Sequence, residues 1–238
     1  MEVLAIGNSF SQDATRYLFQ IARAAGTDLR VTNLMFPGCP LSNHYRYMLT
    51  RQPEYRLEHN GFDTGFKMSM DKALLSRDWD VVTIQQVSHY APKYETYQPY
   101  LKELIKYIRT CAPKARILLQ ETWAYEADSF RLTQELKYST PKEMYDDLHA
   151  AYQQAAEEEH LEIIPSGTVL FKLNTEKGLP VHRDTFHASF GLGRYALGLT
   201  WFKKLTGQSV LGNTYRDFDR PVSEEEIAVI QQVVEETV

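Results

Sequence analysis

Hydrophobic and polar positions along this chain follow two alternating rhythms. A short apolar run, the mark of a buried strand, is followed by a segment whose apolar residues recur every three or four positions, the mark of a helix. EVLAIG (2–7) is the first such run, and DATRYLFQIARAAG (13–26) is the first helical segment, with Asp13 or Ser11 available as a cap and Gly26 as a stop. DLRVTNLMF (28–36) predicts a second strand and a following loop, PGCPLSNHY. The alternating runs around Asn60-Gly61 predict a β-hairpin over residues 53–69, read as an insertion, and SMDKALLS then predicts a short helix.

The rhythm then resumes. WDVVTIQQ (79–86), ARILLQE (115–121) and LEIIP (161–165) predict strands. Helices are predicted over residues 97–112 and over residues 141–160, the latter with Pro141 near its start. HASFGLGRYALGLTWFKKLTG (187–207) reads as mostly helix, and the last segment, 223–238, opens on the capping box Ser223-x-x-Glu226. Strand and helix thus alternate five times, which predicts an α/β fold with a five-stranded parallel sheet and helices on both faces. Neither a repeat nor a linker interrupts the chain, so a single domain over residues 1–238 is expected. In such sheets ligands bind beyond the carboxyl ends of the strands, so the residues just after each strand carry the chemistry.

Composition narrows the classes of function. The net charge of -5, with no basic tract, disfavours nucleic acid as a partner. No apolar run reaches the roughly 18 residues of a membrane span. Met1 and Glu2 lead straight into a strand, so no signal peptide is read in the sequence as it stands, and the compartment stays open. Two cysteines, Cys39 and Cys111, cannot build a disulfide framework, and no zinc-ligand spacing occurs.

After the first strand stand Gly7, Asn8, Ser9, Phe10 and Ser11. A serine between a buried strand and a helix start sits on a rigid base, where amides and the helix dipole favour negative charge. That suits an attacking hydroxyl, Ser9 or its neighbour Ser11; it equally suits a capped turn. After the second strand, Gly38 allows close backbone approach to a ligand, or simply makes a Pro-Gly turn. Cys39 reads as a small buried residue. After the third stand Gln85, Gln86, Ser88 and His89, and alternation should turn one glutamine amide into the cleft. After the fourth, Trp123 and Tyr125 offer a stacking rim for a sugar ring, or cover core. Beyond the fifth, Asp184 and His187 lie three apart, a spacing that lets a carboxylate reach Nδ1 of the same imidazole and leave Nε2 to take a proton. His182 is a competing imidazole.

Ser9 in GNSFS, Gly38 after the second strand, an amide after the third and Asp184/His187 in DTFH resemble, in this order, the SGNH (GDSL-type) hydrolases. The stretches IGNSFS, QETWAYEADS and DTFHAS look closest to the bacterial DUF4886 group, whose members are uncharacterised. The resemblance runs from residue 3 to about 205. It implies a three-layer α/β/α, flavodoxin-like fold and a serine esterase acting on short acyl esters such as acetyl. It implies Ser9 as nucleophile and oxyanion donor, Gly38 as a second donor, His187 as general base and Asp184 as its partner.

Gln86 is then the expected third oxyanion donor, with Gln85 and Ser88 as alternatives, because the usual Gly-x-Asn-Asp is absent here. Asn8 replaces the Asp of GDS. Trp123, Tyr125 and His89 are expected to bind a small-molecule or glycan ester. Neither metal nor organic cofactor is expected. The rival expectation is an inactive carbohydrate- or anion-binding domain on the same fold.

Overall fold

The computed structural model describes residues 1–238. Seven strands form one sheet in the order β4-β3-β2-β1-β5-β6-β7. Five of them run parallel: β1 (Glu2–Gly7), β2 (Arg30–Met35), β5 (Val81–Ile84), β6 (Arg116–Gln120) and β7 (Glu162–Ile164). These are the five predicted strands. β1, β2, β5 and β6 are buried along nearly their whole length, as parallel strands covered on both faces must be, whereas the edge strand β7 is buried only at Ile164.

The remaining two strands correct the expectation of an insertion. β3 (Tyr55–His59) and β4 (Phe62–Met68) do form the hairpin around Asn60-Gly61, both residues at positive φ. The hairpin, however, pairs antiparallel with β2 and extends the sheet, which is mixed and seven-stranded rather than parallel and five-stranded. Periodicity shows that a hairpin exists but not which edge it joins.

Helices cover both faces, giving the three-layer α/β/α arrangement. One layer holds α1 (Ser9–Thr15), α2 (Leu18–Ala24), α7 (Ser166–Thr175), α8 (Leu192–Thr206) and α9 (Glu224–Thr237). The other holds α3 (Leu41–Thr50), α4 (Met70–Leu74), α5 (Tyr100–Cys111) and α6 (Pro141–Glu159). The predicted capping box forms, Ser223 with Glu226 opening α9, and a second one, Thr140 with Glu143, opens α6. No helix is long and apolar enough to cross a membrane.

Three local expectations change. The helix predicted over 13–26 is two helices, broken at Arg16 and Tyr17, and it begins at Ser9. Its cap is Asn8, whose Oδ1 accepts from the Phe10 amide at 3.0 Å, and not Ser11 or Asp13. The break turns the Arg16 carbonyl onto Gly61, where any Cβ would lie only 2.1 Å from it. Second, the segment read as a loop after β2 contains α3, and the loop after β7 contains α7. Third, α8 starts at Leu192, so His187 stands in the irregular turn before it.

Connectivity fixes where a site can form. The chain leaves β1 for β2 on one side and returns to β5 on the other, so adjacent loops diverge beyond β1 and β5. Register aligns the strand ends: Gly7 pairs with Met35 and Ile6 with Ile84. The segments starting at Asn8, Phe36 and Gln85 therefore emerge side by side.

Asp13 is fully buried on α1, one turn beyond Ser9. It accepts from Arg183 Nη1 at 2.8 Å and from Arg194 Nε at 2.8 Å. Arg194 also holds Asp219 at 2.7 Å, and Arg16 holds the other Asp219 oxygen at 2.6 Å. The Arg16 guanidinium, with Arg194 in support, pulls the Asp219 carboxyl down to about 2. Removing one partner of a buried ion cluster leaves the others uncompensated and typically costs about 3–5 kcal/mol. Asp13→Ala should lose stability on that scale in urea unfolding at neutral pH, whereas Asp28→Ala, at an exposed pair, should change it by about 1 kcal/mol or less.

Candidate active site

Ser9 is the first residue of α1, and its amide has no acceptor within the helix. Its Oγ lies 2.9 Å from Nε2 of His187. Nδ1 of His187 lies 2.8 Å from Asp184 Oδ2, while Asp184 Oδ1 accepts from the His187 amide at 2.8 Å. With Nδ1–H donating to the carboxylate, Nε2 is left to accept the serine proton. Burial would raise the Asp184 carboxyl, but the hydrogen bonds from the His187 ring and amide outweigh it and hold it below the usual range. The structure thus brings Ser9, His187 and Asp184 into one chain of hydrogen bonds.

The other hydroxyl and imidazole candidates are occupied elsewhere. Ser11 is buried, its Oγ lies 2.8 Å from both Asn8 O and Asn33 Oδ1, and its one proton is shared between them. It also explains Gly7, where a Cβ would lie 2.5 Å from Ser11 Oγ. His182 is tied to Ala124 O at 3.1 Å and Glu126 Oε1 at 3.2 Å, and burial pushes its imidazole down to about 4.

Asn8 joins three segments at this point. Besides capping α1, its Oδ1 accepts from Gln85 Nε2 at 2.9 Å and its Nδ2 donates to Cys39 O at 3.2 Å. An aspartate could not make the last bond, since it has no donor when ionised. Cys39 is buried, as its reading as a small buried residue anticipates. The bond holds the turn containing Gly38, which sits at φ +62, a conformation costly for any residue with a Cβ. Gly38 lines the cleft beside Ser9, and its amide finds no acceptor in the protein.

The cleft has a volume of about 260 Å³. Phe10 and Phe186 line it near Ser9, Pro37 and Gly38 bring in the β2 loop, and Val87, Ser88 and His89 bring in the β5 loop. His89 is where a substrate-binding residue was expected; burial, then the nearby charge of Arg131, lower its pKa and favour the neutral ring.

Three expectations fail here. Gln86 does not reach the cleft. Its Nε2 donates to Thr96 O and Oγ1, both at 3.1 Å, and its Oε1 accepts from Leu41 N and Val87 N, so both of its N–H groups are spent. Gln85 is equally buried and turned to Asn8, so neither amide faces the cleft. Ser88 does line the cleft, and its Oγ lies 2.7 Å from the Tyr125 hydroxyl. Trp123 and Tyr125 are not a rim, being 0% and 1% exposed.

Trp123 instead braces the loop that carries His187 from behind. Its Nε1 donates to Phe186 O at 2.8 Å, and its ring stacks on Phe10 at 4.0 Å, which in turn meets His187 edge-on at 5.7 Å. Arg131 was missed, because it lies in a short π-helical turn that follows no strand directly. Arg183 and Arg194 were missed because nothing local marks their shared partner.

Glu121, just after β6, also lies outside the cleft. It is fully buried, accepts from Thr168 N at 2.8 Å and pairs with His149 Nδ1 at 2.7 Å. That bond to Glu121 outweighs burial and raises the His149 pKa. A raised histidine pKa adds stability that is full below the unfolded value of about 6.5 and is lost as pH rises through the folded one. Melting temperature should therefore fall on going from pH 6 to pH 9, and His149→Gln should flatten that part of the profile. A second test concerns Asn8. Asn8→Asp should set a carboxylate against Cys39 O, slow turnover of any Ser9-dependent reaction at least about tenfold and cost about 1–3 kcal/mol in chemical unfolding.

Comparison with known proteins follows this geometry. The family profile described as "Domain of unknown function (DUF4886)" matches residues 2–234. The crystal structure of a DUF4886 family protein from Bacteroides uniformis ATCC 8492 is 30% identical, with a TM-score of 0.91 over 99% of this chain and 93% of that one. A protein from Slackia heliotrinireducens described as an SGNH hydrolase is 21% identical, with a TM-score of 0.63 over 86% of this chain and 98% of that one. Axe2, an acetylxylan esterase from Geobacillus stearothermophilus, is 15% identical, with a TM-score of 0.57 over 86% and 94% of the two chains. At these last two identities the likeness establishes the SGNH hydrolase fold. No curated protein matches the sequence.

Proposed function

The chain belongs to the DUF4886 family on the SGNH hydrolase fold, and we propose that it is a serine esterase that removes short acyl groups, acetyl above all, from carbohydrate. The observation that carries this reading is the continuous hydrogen-bonded chain Asp184–His187–Ser9 opening onto a cleft beside the unpaired Gly38 amide.

In this reaction Ser9 Oγ attacks the ester carbonyl while His187 Nε2 takes its proton. Asp184 keeps Nδ1 protonated and stabilises the imidazolium. The carbonyl oxygen becomes an oxyanion facing the amides of Ser9 and Gly38. Ser88 supplies the third donor in place of Gln86: with Tyr125 donating to Ser88 Oγ, the Ser88 proton is free to point at the oxyanion. His187 then protonates the departing alcohol, and the acyl-enzyme is cleared by water that His187 activates. None of these steps draws on a metal or cofactor.

The cleft volume of about 260 Å³ supports a small acyl group, since sites for drug-sized ligands run roughly 300–1,000 Å³. Carbohydrate as the carrier rests on likeness of fold to Axe2, and no longer on Trp123 or Tyr125, which support the loop.

Native protein should hydrolyse p-nitrophenyl acetate faster than p-nitrophenyl butyrate, and Ser9→Ala should abolish both activities. Ser88→Ala should lower kcat about 10²–10³-fold, the loss expected for one oxyanion donor. Absence of turnover in the native protein, together with saturable binding of unesterified glycan, would instead favour a binding domain.

A further inference from the structure

Of the side chains lining the cleft, Arg131 alone carries a fixed charge, and no Asp or Glu lines it. This is unexpected in a chain of net charge -5. The guanidinium lies over the Phe186 ring, 4.3 Å from its centroid, and the same ring meets His187 at 4.0 Å. Arg131 is exposed and makes no ion pair, in contrast to the arginines that hold Asp13 and Asp219. The next residue, Leu132, is buried and anchors the turn, and the Arg131 guanidinium lies over the Phe186 ring. A stacked guanidinium keeps its edge N–H groups free in a fork that matches a carboxylate, which a flexible lysine would not.

Across the cleft, His89 is biased neutral, so it adds a hydrogen-bonding group without adding charge. The result is one positive group beside the His187 imidazole, in a cleft that no Asp or Glu side chain lines.

We propose that the cleft selects esters of acidic substrates, Arg131 binding a carboxylate on the alcohol portion of the ester, such as an O-acetylated uronic acid. The inference deepens the esterase reading and rests on it. Arg131 is a specificity determinant: it anchors the part of the substrate that leaves as the alcohol, while Ser9, His187 and Asp184 act on the ester.

The test compares two probes, the O-acetyl esters of methyl glucuronoside and of methyl glucoside. Native enzyme should favour the carboxylated probe about 10–100-fold in kcat/KM, mostly through KM, the range expected of one charge-assisted hydrogen-bonded pair. Arg131→Gln should bring that ratio to within about threefold, and Arg131→Lys should restore part of it, as a charge without the planar fork would. Equal handling of both probes by native enzyme, or a ratio unchanged in Arg131→Gln, would overturn the proposal. Calorimetric binding of both probes to Ser9→Ala separates this failure from failure of the esterase reading. If native protein hydrolyses no ester, the esterase reading falls, and equal affinity for the two probes would sink the Arg131 assignment independently.

Discussion

One fully buried carboxylate, Asp13, holds together two parts of the chain about 170 residues apart in sequence. It stands on the same face of α1 as Ser9, one helical turn away, and receives both Arg183 and Arg194. Arg183 precedes Asp184 directly and also donates to the Ala188 carbonyl, just past His187. The clamp therefore ties the helix bearing the serine to both ends of the turn bearing the acid and the imidazole. A buried charge of this kind adds little net stability compared with an apolar core, but it is costly to disrupt and it fixes position. Here the position fixed is the approach of Ser9 to His187.

A second constraint comes from the sheet. Parallel register brings the ends of β2, β1 and β5 level, and the Asn8 side chain bonds to the segments beyond all three. Donors aimed in advance at developing charge cost no reorganisation when the reaction occurs. Asn8 fixes the Gly38 turn through a donor that the Asp of the GDS pattern lacks. The substitution at this position and the altered block after β5 thus belong together: the glutamines serve as ties, Gln85 to Asn8 and Gln86 to Thr96 and Leu41.

The aromatic groups follow the same division of labour. Phe10, Trp123 and Phe186 form a packed support around the imidazole, and the indole N–H fixes the Phe186 carbonyl. Buried indoles usually find a partner for that N–H, and here the partner lies on the turn that bears His187. The Phe186 ring also carries the Arg131 guanidinium, 4.3 Å from its centroid.

Local sequence determined the elements and the strand ends. Five apolar runs of strand length, separated by helical periods, specify five parallel strands, because burial on both faces leaves that pattern and little else does. The capping box at Ser223 and the Asn60-Gly61 turn were equally legible, since their physics is complete within four residues. The sequence also placed Ser9, Gly38, Asp184 and His187 just beyond strands or ahead of a helix. Tertiary structure decided everything that depends on a distant partner. The amide of Gln86 is spent on Thr96, Trp123 lies under the loop it supports, the hairpin joins β2, and Arg131 reaches the cleft from a turn without a strand before it. A side chain's hydrogen-bonding capacity is fixed by its chemistry, but which of its atoms remain free is fixed only when the whole chain has folded around it.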